Sequence, residues 1–273
     1  MPTDATHADR PFGFVSLPAE RSWRKPRRTG LTMVVDMGVP LGQLADTLEL
    51  AGDYVDFGKI ATGSAVLYSD RLLARKIELY RSHGIATFLG GQFLEHVIHM
   101  QGWTAVPAFL DEAIRVGIDA IEVSDNIVPL TRDEGLRLVA MIRERGLEAH
   151  GEVGSKTGKQ DPDELVAQAM GLLDAGCAEV LIEAAELVDD HGAVLPDLVH
   201  AVKTHLPVER VLVELPGPWI KGVGPSGIYE MMKFLMRTFG PEANVGNVWF
   251  DQVMILEAMR NGLGAAGPLE LIE

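Results

Sequence analysis

The sequence contains a single cysteine, Cys177, and no apolar run that approaches the roughly 18–20 residues a membrane-spanning helix requires. One cysteine excludes a disulfide framework and a cysteine-based zinc site. The first residues, MPTDATHADRPFGF, also lack the basic segment followed by an apolar stretch that a signal peptide needs. We therefore expect a cytoplasmic protein that has no membrane partner.

Basic residues are scarce as well, since 24 Lys and Arg face 39 Asp and Glu and give a net charge of −15. A nucleic-acid partner is not expected, because such binding needs a basic surface. The exception is the N-terminal segment, where residues 1–30 carry six basic side chains against three acidic ones. We predict a basic, solvated extension over residues 1–29 that lies on the acidic body. A subunit contact or a place at the edge of the substrate site is the alternative.

Short apolar runs alternate with amphipathic helical stretches from residue 31 onward. Eight runs are typical of buried parallel strands, at 31–36, 54–59, 85–91, 119–125, 147–153, 179–184, 210–215 and 247–251. This repetition predicts a single-domain α/β fold, a (β/α)8 TIM barrel over residues 30–265, with a short tail over 266–273. No GxGxxG motif follows the first run, which disfavours a dinucleotide-binding open sheet.

Charged side chains stand at or near the ends of most predicted strands: Asp36, Lys59, Glu122, Glu152, Glu183, Glu214 and Asp251. The carboxyl ends of barrel strands meet at one mouth, so we expect these groups to share a cavity. Buried carboxylates without cations are costly, and a hard divalent ion, Mg²⁺, is the simplest compensation. Structural ion pairing is the alternative for the whole set, and helix capping is the alternative for Asp125 and Asp251.

Further cations are expected in two loops that follow predicted strands. Lys156 and Lys159 lie in GEVGSKTGK after the fifth strand, and Lys221 and Gly222 lie in the glycine-rich LPGPWIKGVGPSG after the seventh. Glycine-rich backbone ahead of a helix is suited to anion binding, and a flexible lid is the alternative for the second loop. His150 is predicted to be packed and hydrogen-bonded. No GxSxG motif occurs, and Cys177 falls on the far face, so a Ser or Cys nucleophile is unsupported.

Several stretches, in order, resemble the phosphosulfolactate synthase family, which also includes heat-stress-associated plant proteins. They are KPRRTGLTMVVDMG, AGDYVDFGK, FLGGQFLEH, AIEVSDN, GEVGSK, VLIEA and NVWFDQV. The resemblance runs from about Lys25 to Leu263, almost the whole chain. It implies a Mg²⁺-dependent (β/α)8 barrel that adds sulfite to phosphoenolpyruvate.

The resemblance also implies roles for individual residues. Lys156 is expected to be the acid that protonates the substrate carbon, with Lys59 and Glu152 as further catalytic residues. The expected metal ligands are Glu122, Glu152, Glu183 and Asp251. The expected substrate contacts are Asp36, Lys59, Ser124, Lys221 and Gly222. The partner is then a small anionic carboxylate, and we expect a homo-oligomer.

The sequence departs from the family pattern near the predicted mouth. Met37 stands where the family usually has lysine, and Ala184-Ala185 replace Gly-Arg. Two cations that would meet phosphate and sulfonate groups are therefore missing, and charge-assisted hydrogen bonds are roughly twice as strong as neutral ones. Lys221 is a candidate to compensate. A divergent barrel enzyme acting on a less anionic carboxylate is one alternative, and a non-enzymatic stress-associated protein is another.

Overall fold

Eight parallel strands close into a barrel in sequence order, each paired with its neighbours and the last with the first. The computed structural model describes residues 11–17, 21–154, 161–189, 194–218, 220 and 223–264. The strands are β1 Thr32–Asp36, β2 Phe57–Ile60, β3 Ala86–Leu89, β4 Ala120–Val123, β5 Glu148–Val153, β6 Glu179–Glu183, β7 Val211–Glu214 and β8 Asn244–Val248. The predicted (β/α)8 TIM barrel is confirmed.

Helices follow the strands and cover the outside of the barrel. They are α1 Leu41–Ala51, α2 Asp70–Ser82, α3 Gly91–Gln101, α4 Val106–Val116, α5 Arg132–Glu144, α6 Pro162–Ala175, α7 Pro196–His205, α8 Pro225–Phe239 and α9 Val253–Arg260. Polar caps fix several starts, because a cap side chain accepts a backbone N–H that the first helical turn leaves free. Thr131 and Glu134 form the capping box that TRDE predicts. No helix in the described ranges is long and apolar enough to cross a membrane.

The strand pleat divides each strand between the interior of the barrel and the helix-covered outside. The lower interior is an apolar layer that includes Met33, Phe88, Leu181 and Leu212. His150 packs against Phe88 with ring centroids 4.8 Å apart, and its Nδ1 lies 2.7 Å from Glu179 Oε2. The packing of His150 is confirmed, whereas its Nε2 is buried and has no hydrogen-bond partner among the described residues. Residues two positions farther along the strands face the open end.

The eighth strand begins and ends earlier than expected. The apolar run at 247–251 suggested a strand ending on Asp251, whereas β8 starts at Asn244, whose side-chain amide donates to the Val211 carbonyl at 3.1 Å. A search for apolar runs does not detect a strand that begins with a polar residue such as Asn244. Asp251 therefore falls in a 3₁₀ turn, Phe250–Gln252, beyond the strand end.

In the described residues 21–30, Arg21 and Arg27 pair with acidic groups of the barrel, and both are buried rather than solvated. Arg21 Nη2 is 2.9 Å from Glu257 Oε2 in α9. Arg27 donates to both oxygens of Asp56, which also accepts the Thr32 amide of β1 at 2.8 Å. Residues 21–30 therefore brace the barrel from the end where β1 begins. The division into 1–29, 30–265 and 266–273 stays a prediction.

Replacing Arg27 by alanine is expected to destabilise the fold, because the buried Asp56 carboxylate loses its ion-pair partner. Removing one partner of a buried ion pair typically costs roughly 3–5 kcal/mol, which lowers the melting temperature of a protein this size by about 6–20 °C. Thermal unfolding followed by circular dichroism measures the change. Arg28 is the matched control, since it is the next residue but is exposed. Equal melting temperatures for R27A and R28A would contradict this account.

Candidate metal and active site

A cavity of about 110 Å³ opens where the strands end, and charged and amide side chains line it. We call it the strand-end cavity. Its polar and charged lining residues are Lys59, Thr62, Gln92, Glu122, Asn126, Glu152, Glu183, Glu214 and Asn247. Four carboxylates therefore face one ammonium group, an excess of three negative charges among the described lining residues when all are ionised.

The charged residues point into the barrel because each lies two positions after an inward-facing residue of its strand, and alternate residues of a strand face the same side. Phe57 and Lys59 are two positions apart on β2, as are Leu212 and Glu214 on β7, and both pairs turn inward. The apolar member fills the lower layer, and the charged member lines the cavity. Strand alternation thus stacks a charged layer on an apolar one.

Lys59 bridges two carboxylates across the cavity. Its Nζ is 2.7 Å from Glu122 Oε2 and 2.9 Å from Glu214 Oε1, and all three side chains are buried. Burial opposes the ammonium form, but Glu122 and Glu214 outweigh it and raise the pKa of Lys59. The other oxygen of Glu122 accepts the Gly91 N–H at the start of α3, at 2.9 Å. Lys59 is therefore charged, and Glu122 is committed to it.

Three carboxylates converge in this cavity, and one of them, Glu214, is also bound to Lys59. Glu152, Glu183 and Glu214 each offer an oxygen, and the three atoms lie within 4.8 Å of one another. Hard oxygen donors with excess negative charge fit a divalent cation such as Mg²⁺. Of the expected ligands, the structure brings Glu152 and Glu183 together and adds Glu214. It places Glu122 on Lys59, and it places Asp251 at an exposed position that does not line the cavity.

Glu214 is harder to ionise than an ordinary glutamate. Burial raises its pKa to about 7, and repulsion from Glu152 and Glu122 adds to the effect, although Lys59 opposes it. Its folded pKa lies above the unfolded value, so this group stabilises the fold below the unfolded pKa and loses that contribution as pH rises toward about 7. A bound cation needs the ionised form.

If these carboxylates hold Mg²⁺, the ion is expected to bind more weakly in acid, with affinity falling by up to about tenfold per pH unit below pH 7. Isothermal titration calorimetry near pH 6 and pH 8 measures this, and proton release near neutrality accompanies binding. Glu214→Gln is expected to remove most of the pH dependence. An affinity that is equal at both pH values in the wild-type protein would contradict the assignment of Glu214.

Asp36 does not face the cavity, which corrects the expectation that it contacts substrate. Val35 points inward, so Asp36, one residue later, points to the helices. Its carboxylate pairs with Lys76 of α2 at 2.7 Å, accepts the Tyr80 hydroxyl at 2.9 Å, and accepts the Gly38 N–H at 3.0 Å. Asp36 thus fixes the turn after β1, which carries Met37 into the cavity lining.

Ser124 does not line the strand-end cavity and borders a neighbouring one that also includes Glu152. Its hydroxyl donates to the buried Glu95 of α3 at 2.5 Å, and it is not among the residues that line the cavity. Lys156, Lys221 and Gly222 lie outside the described residues, so their predicted roles stay predictions. Burial raises the pKa of the Cys177 thiol to about 12, consistent with its exclusion as a nucleophile.

Two asparagines of the cavity were not anticipated. Asn126 donates to Glu152 Oε2 at 2.8 Å. Asn247 has a positive φ of 52°, and the β1–β8 register shifts beside it, so a bulge turns its side chain inward. Asn126 lies in the stretch AIEVSDN, which the sequence analysis singled out for another reason. Asn247 lies in NVGNV, and no residue of that stretch indicates a bulge.

A comparison with known protein families identifies the family of the chain. The family model described as (2R)-phospho-3-sulfolactate synthase (ComA) matches residues 20–265. The chain belongs to the phosphosulfolactate synthase family. It is 30% identical to the phosphosulfolactate synthase of Methanothermobacter thermautotrophicus, over 92% of this chain and 95% of that protein.

Not every relative of the chain is named for an activity. The chain is 25% identical to Protein HEAT-STRESS-ASSOCIATED 32 of Arabidopsis thaliana, over 86% of this chain and 87% of that protein. A solved structure of 3-deoxy-D-arabino-heptulosonate 7-phosphate synthase from Thermotoga maritima superposes with a TM-score of 0.55 at 11% identity, covering 84% of each chain. That likeness concerns the fold alone. The synthase relatives indicate an enzyme of the TIM-barrel lyase type.

Proposed function

We propose that this protein is a Mg²⁺-dependent phosphosulfolactate synthase that adds sulfite to phosphoenolpyruvate. The observation that carries the proposal is the convergence of Glu152, Glu183 and Glu214 beside the Lys59 bridge, in a member of this family. The excess negative charge of the cavity would repel a phosphorylated carboxylate. A bound divalent cation removes two of those charges, so substrate binding is expected to follow metal binding.

The reaction forms a C–S bond and a C–H bond, and it breaks the C=C π bond but no σ bond of the substrate. The sulfite sulfur attacks the methylene carbon, the π pair of the double bond moves toward the carbon that carries phosphate and carboxylate, and that carbon takes a proton. Bound Mg²⁺ supplies a Lewis acid for the carboxylate as negative charge moves into it. The product is phosphosulfolactate.

The protein's own residues have distinct tasks in this proposal. Glu152, Glu183 and Glu214 hold the cation, and the charged Lys59 stabilises anionic substrate while it anchors two carboxylates. Lys156, two residues after Gly154, delivers the proton from its ammonium group. The start of α3 adds polar backbone beside the cavity through Gly90 and Gly91.

The direct test incubates the purified protein with phosphoenolpyruvate and sulfite, with Mg²⁺ or with a chelator, and follows the product by ³¹P NMR and mass spectrometry. We expect phosphosulfolactate only with Mg²⁺. Glu152→Gln should lose the activity, whereas Glu49→Gln, on the exposed surface of α1, should keep it. Absence of product from the wild-type protein with Mg²⁺ present would overturn the proposed reaction.

A second candidate is a divergent barrel enzyme that acts on a less anionic carboxylate. The favouring observation is that the neutral side chain of Met37 lines the cavity, and that Lys59 is the one cation among the described lining residues. The same experiment separates the two, because this candidate predicts no phosphosulfolactate but Mg²⁺-dependent thermal stabilisation by another small carboxylate. A protein that responds to neither metal nor small acids would instead favour the non-enzymatic alternative.

A further inference from the structure

Glu95 is a buried carboxylate that neither the proposed chemistry nor the metal site uses. It lies on α3, is 1% exposed, and accepts hydrogen bonds from one hydroxyl and three consecutive amides. These donors are the Ser124 hydroxyl at 2.5 Å, and the backbone N–H groups of Asn126 at 3.0 Å, Ile127 at 2.6 Å and Val128 at 2.8 Å. Glu95 therefore clamps the loop that follows β4 onto α3.

The clamped loop contributes one side chain to the strand-end cavity. Asn126 donates through Nδ2 to Glu152 Oε2 at 2.8 Å. A carboxylate can only accept, so this contact fixes which end of the amide faces Glu152. The other end, Oδ1, is buried and has no hydrogen-bond partner among the described residues. A buried acceptor without a hydrogen bond costs free energy. The side chain therefore does not satisfy all of its hydrogen-bonding groups, and the bond that it does make is the one to Glu152.

We infer that Asn126 is a positioning residue for the cation-binding carboxylate Glu152, and that Glu95 acts on the cation through Asn126. The inference rests on the proposed function, because it takes the three converging carboxylates as the cation site. Groups that orient a metal-binding carboxylate typically change metal affinity by roughly 10- to 100-fold when they are removed. The chain of contacts runs from Glu95 to the Asn126 amide, and from the Asn126 side chain to Glu152.

The test measures Mg²⁺ affinity by isothermal titration calorimetry without substrate, so that it does not depend on turnover. Asn126→Ala is expected to weaken binding roughly 10- to 100-fold, and Glu95→Gln, which sets a side-chain N–H against the loop amides, is expected to weaken it as well. The double variant should be no weaker than Asn126→Ala alone, because a residue that acts only through Asn126 has no effect once Asn126 is gone. Ile127→Ala, which keeps its amide and loses an exposed side chain, should bind like wild type.

The possible failures are distinguishable. If the wild-type protein binds Mg²⁺ and Asn126→Ala binds it equally well, the inference is overturned and the proposed function stands. Additive losses in the double variant would overturn the link through Glu95. A wild-type protein that binds no Mg²⁺ overturns both proposals. Should Glu95→Gln fail to fold, the comparison of Asn126→Ala with Ile127→Ala decides whether Asn126 positions Glu152.

Discussion

Under the proposed function, Lys59→Met is expected to reduce Mg²⁺-dependent turnover by at least roughly 10²–10³-fold, because it removes the fixed positive charge proposed to stabilise anionic substrate. The variant also leaves Glu122 and Glu214 buried without their shared partner, which costs roughly 3–5 kcal/mol in the metal-free protein. Mg²⁺ affinity should be kept or increased, since the cavity then carries four carboxylates and no ammonium. Steady-state kinetics, calorimetry and thermal unfolding measure these three quantities.

The matched control is Lys76→Met, since Lys76 is also a buried lysine and pairs with a buried carboxylate, Asp36, at 2.7 Å. That pair lies between β1 and α2, outside the strand-end cavity. We expect Lys76→Met to lose comparable stability but to retain turnover in the folded fraction. A Lys59→Met protein that turns over substrate at near wild-type rate would refute the catalytic role of Lys59.

Lys156→Ala is expected to lower kcat by roughly 10²–10⁴-fold, which is the range for removing a general acid. Binding of Mg²⁺ and of phosphoenolpyruvate should change much less, because Glu152, Glu183 and Glu214 remain in place. The expected signature is a loss in kcat with little change in KM and no change in metal affinity. Rapid-quench kinetics and calorimetry provide the two readouts.

Lys159→Ala is the control for this variant, since it removes the same charge three residues farther along the chain. It is expected to retain most of the activity. A large loss for Lys159→Ala with little loss for Lys156→Ala would transfer the proton-donor role to Lys159. Equal small losses would show that neither lysine is the acid.

Strand phase explains which site residues the sequence could predict. A buried parallel strand is apolar on both faces, so the sequence does not mark which residues face the interior. Glu152 and Glu183 were predicted correctly as strand-end acids that line the cavity, whereas Asp36, also at a strand end, lies on the outer face against Lys76. The sequence did not show whether the last residue of a strand faces the interior of the barrel or the helices outside it.

Sequence separation explains most of the remaining differences. Glu95 contacts the loop after β4, which lies about 30 residues farther along the chain. Arg27 contacts Asp56 directly, although 29 positions that include β1 and α1 separate them in the sequence. No local pattern encodes such pairs. The bulge at Asn247 is equally hidden, because its cause is the register between β1 and β8.

The sequence by itself determined the barrel, its strand order and the acidic character of its mouth, because hydrophobic periodicity, helix caps and strand-end carboxylates are local features. Only the tertiary structure decided which carboxylates meet, since that depends on pleat phase and register. It paired Lys59 with Glu122 and Glu214, gathered Glu152, Glu183 and Glu214 within 4.8 Å, and turned Asp36 away. Electrostatic interactions fall off with distance, so function depends on the geometry that the chain acquires only when the barrel closes.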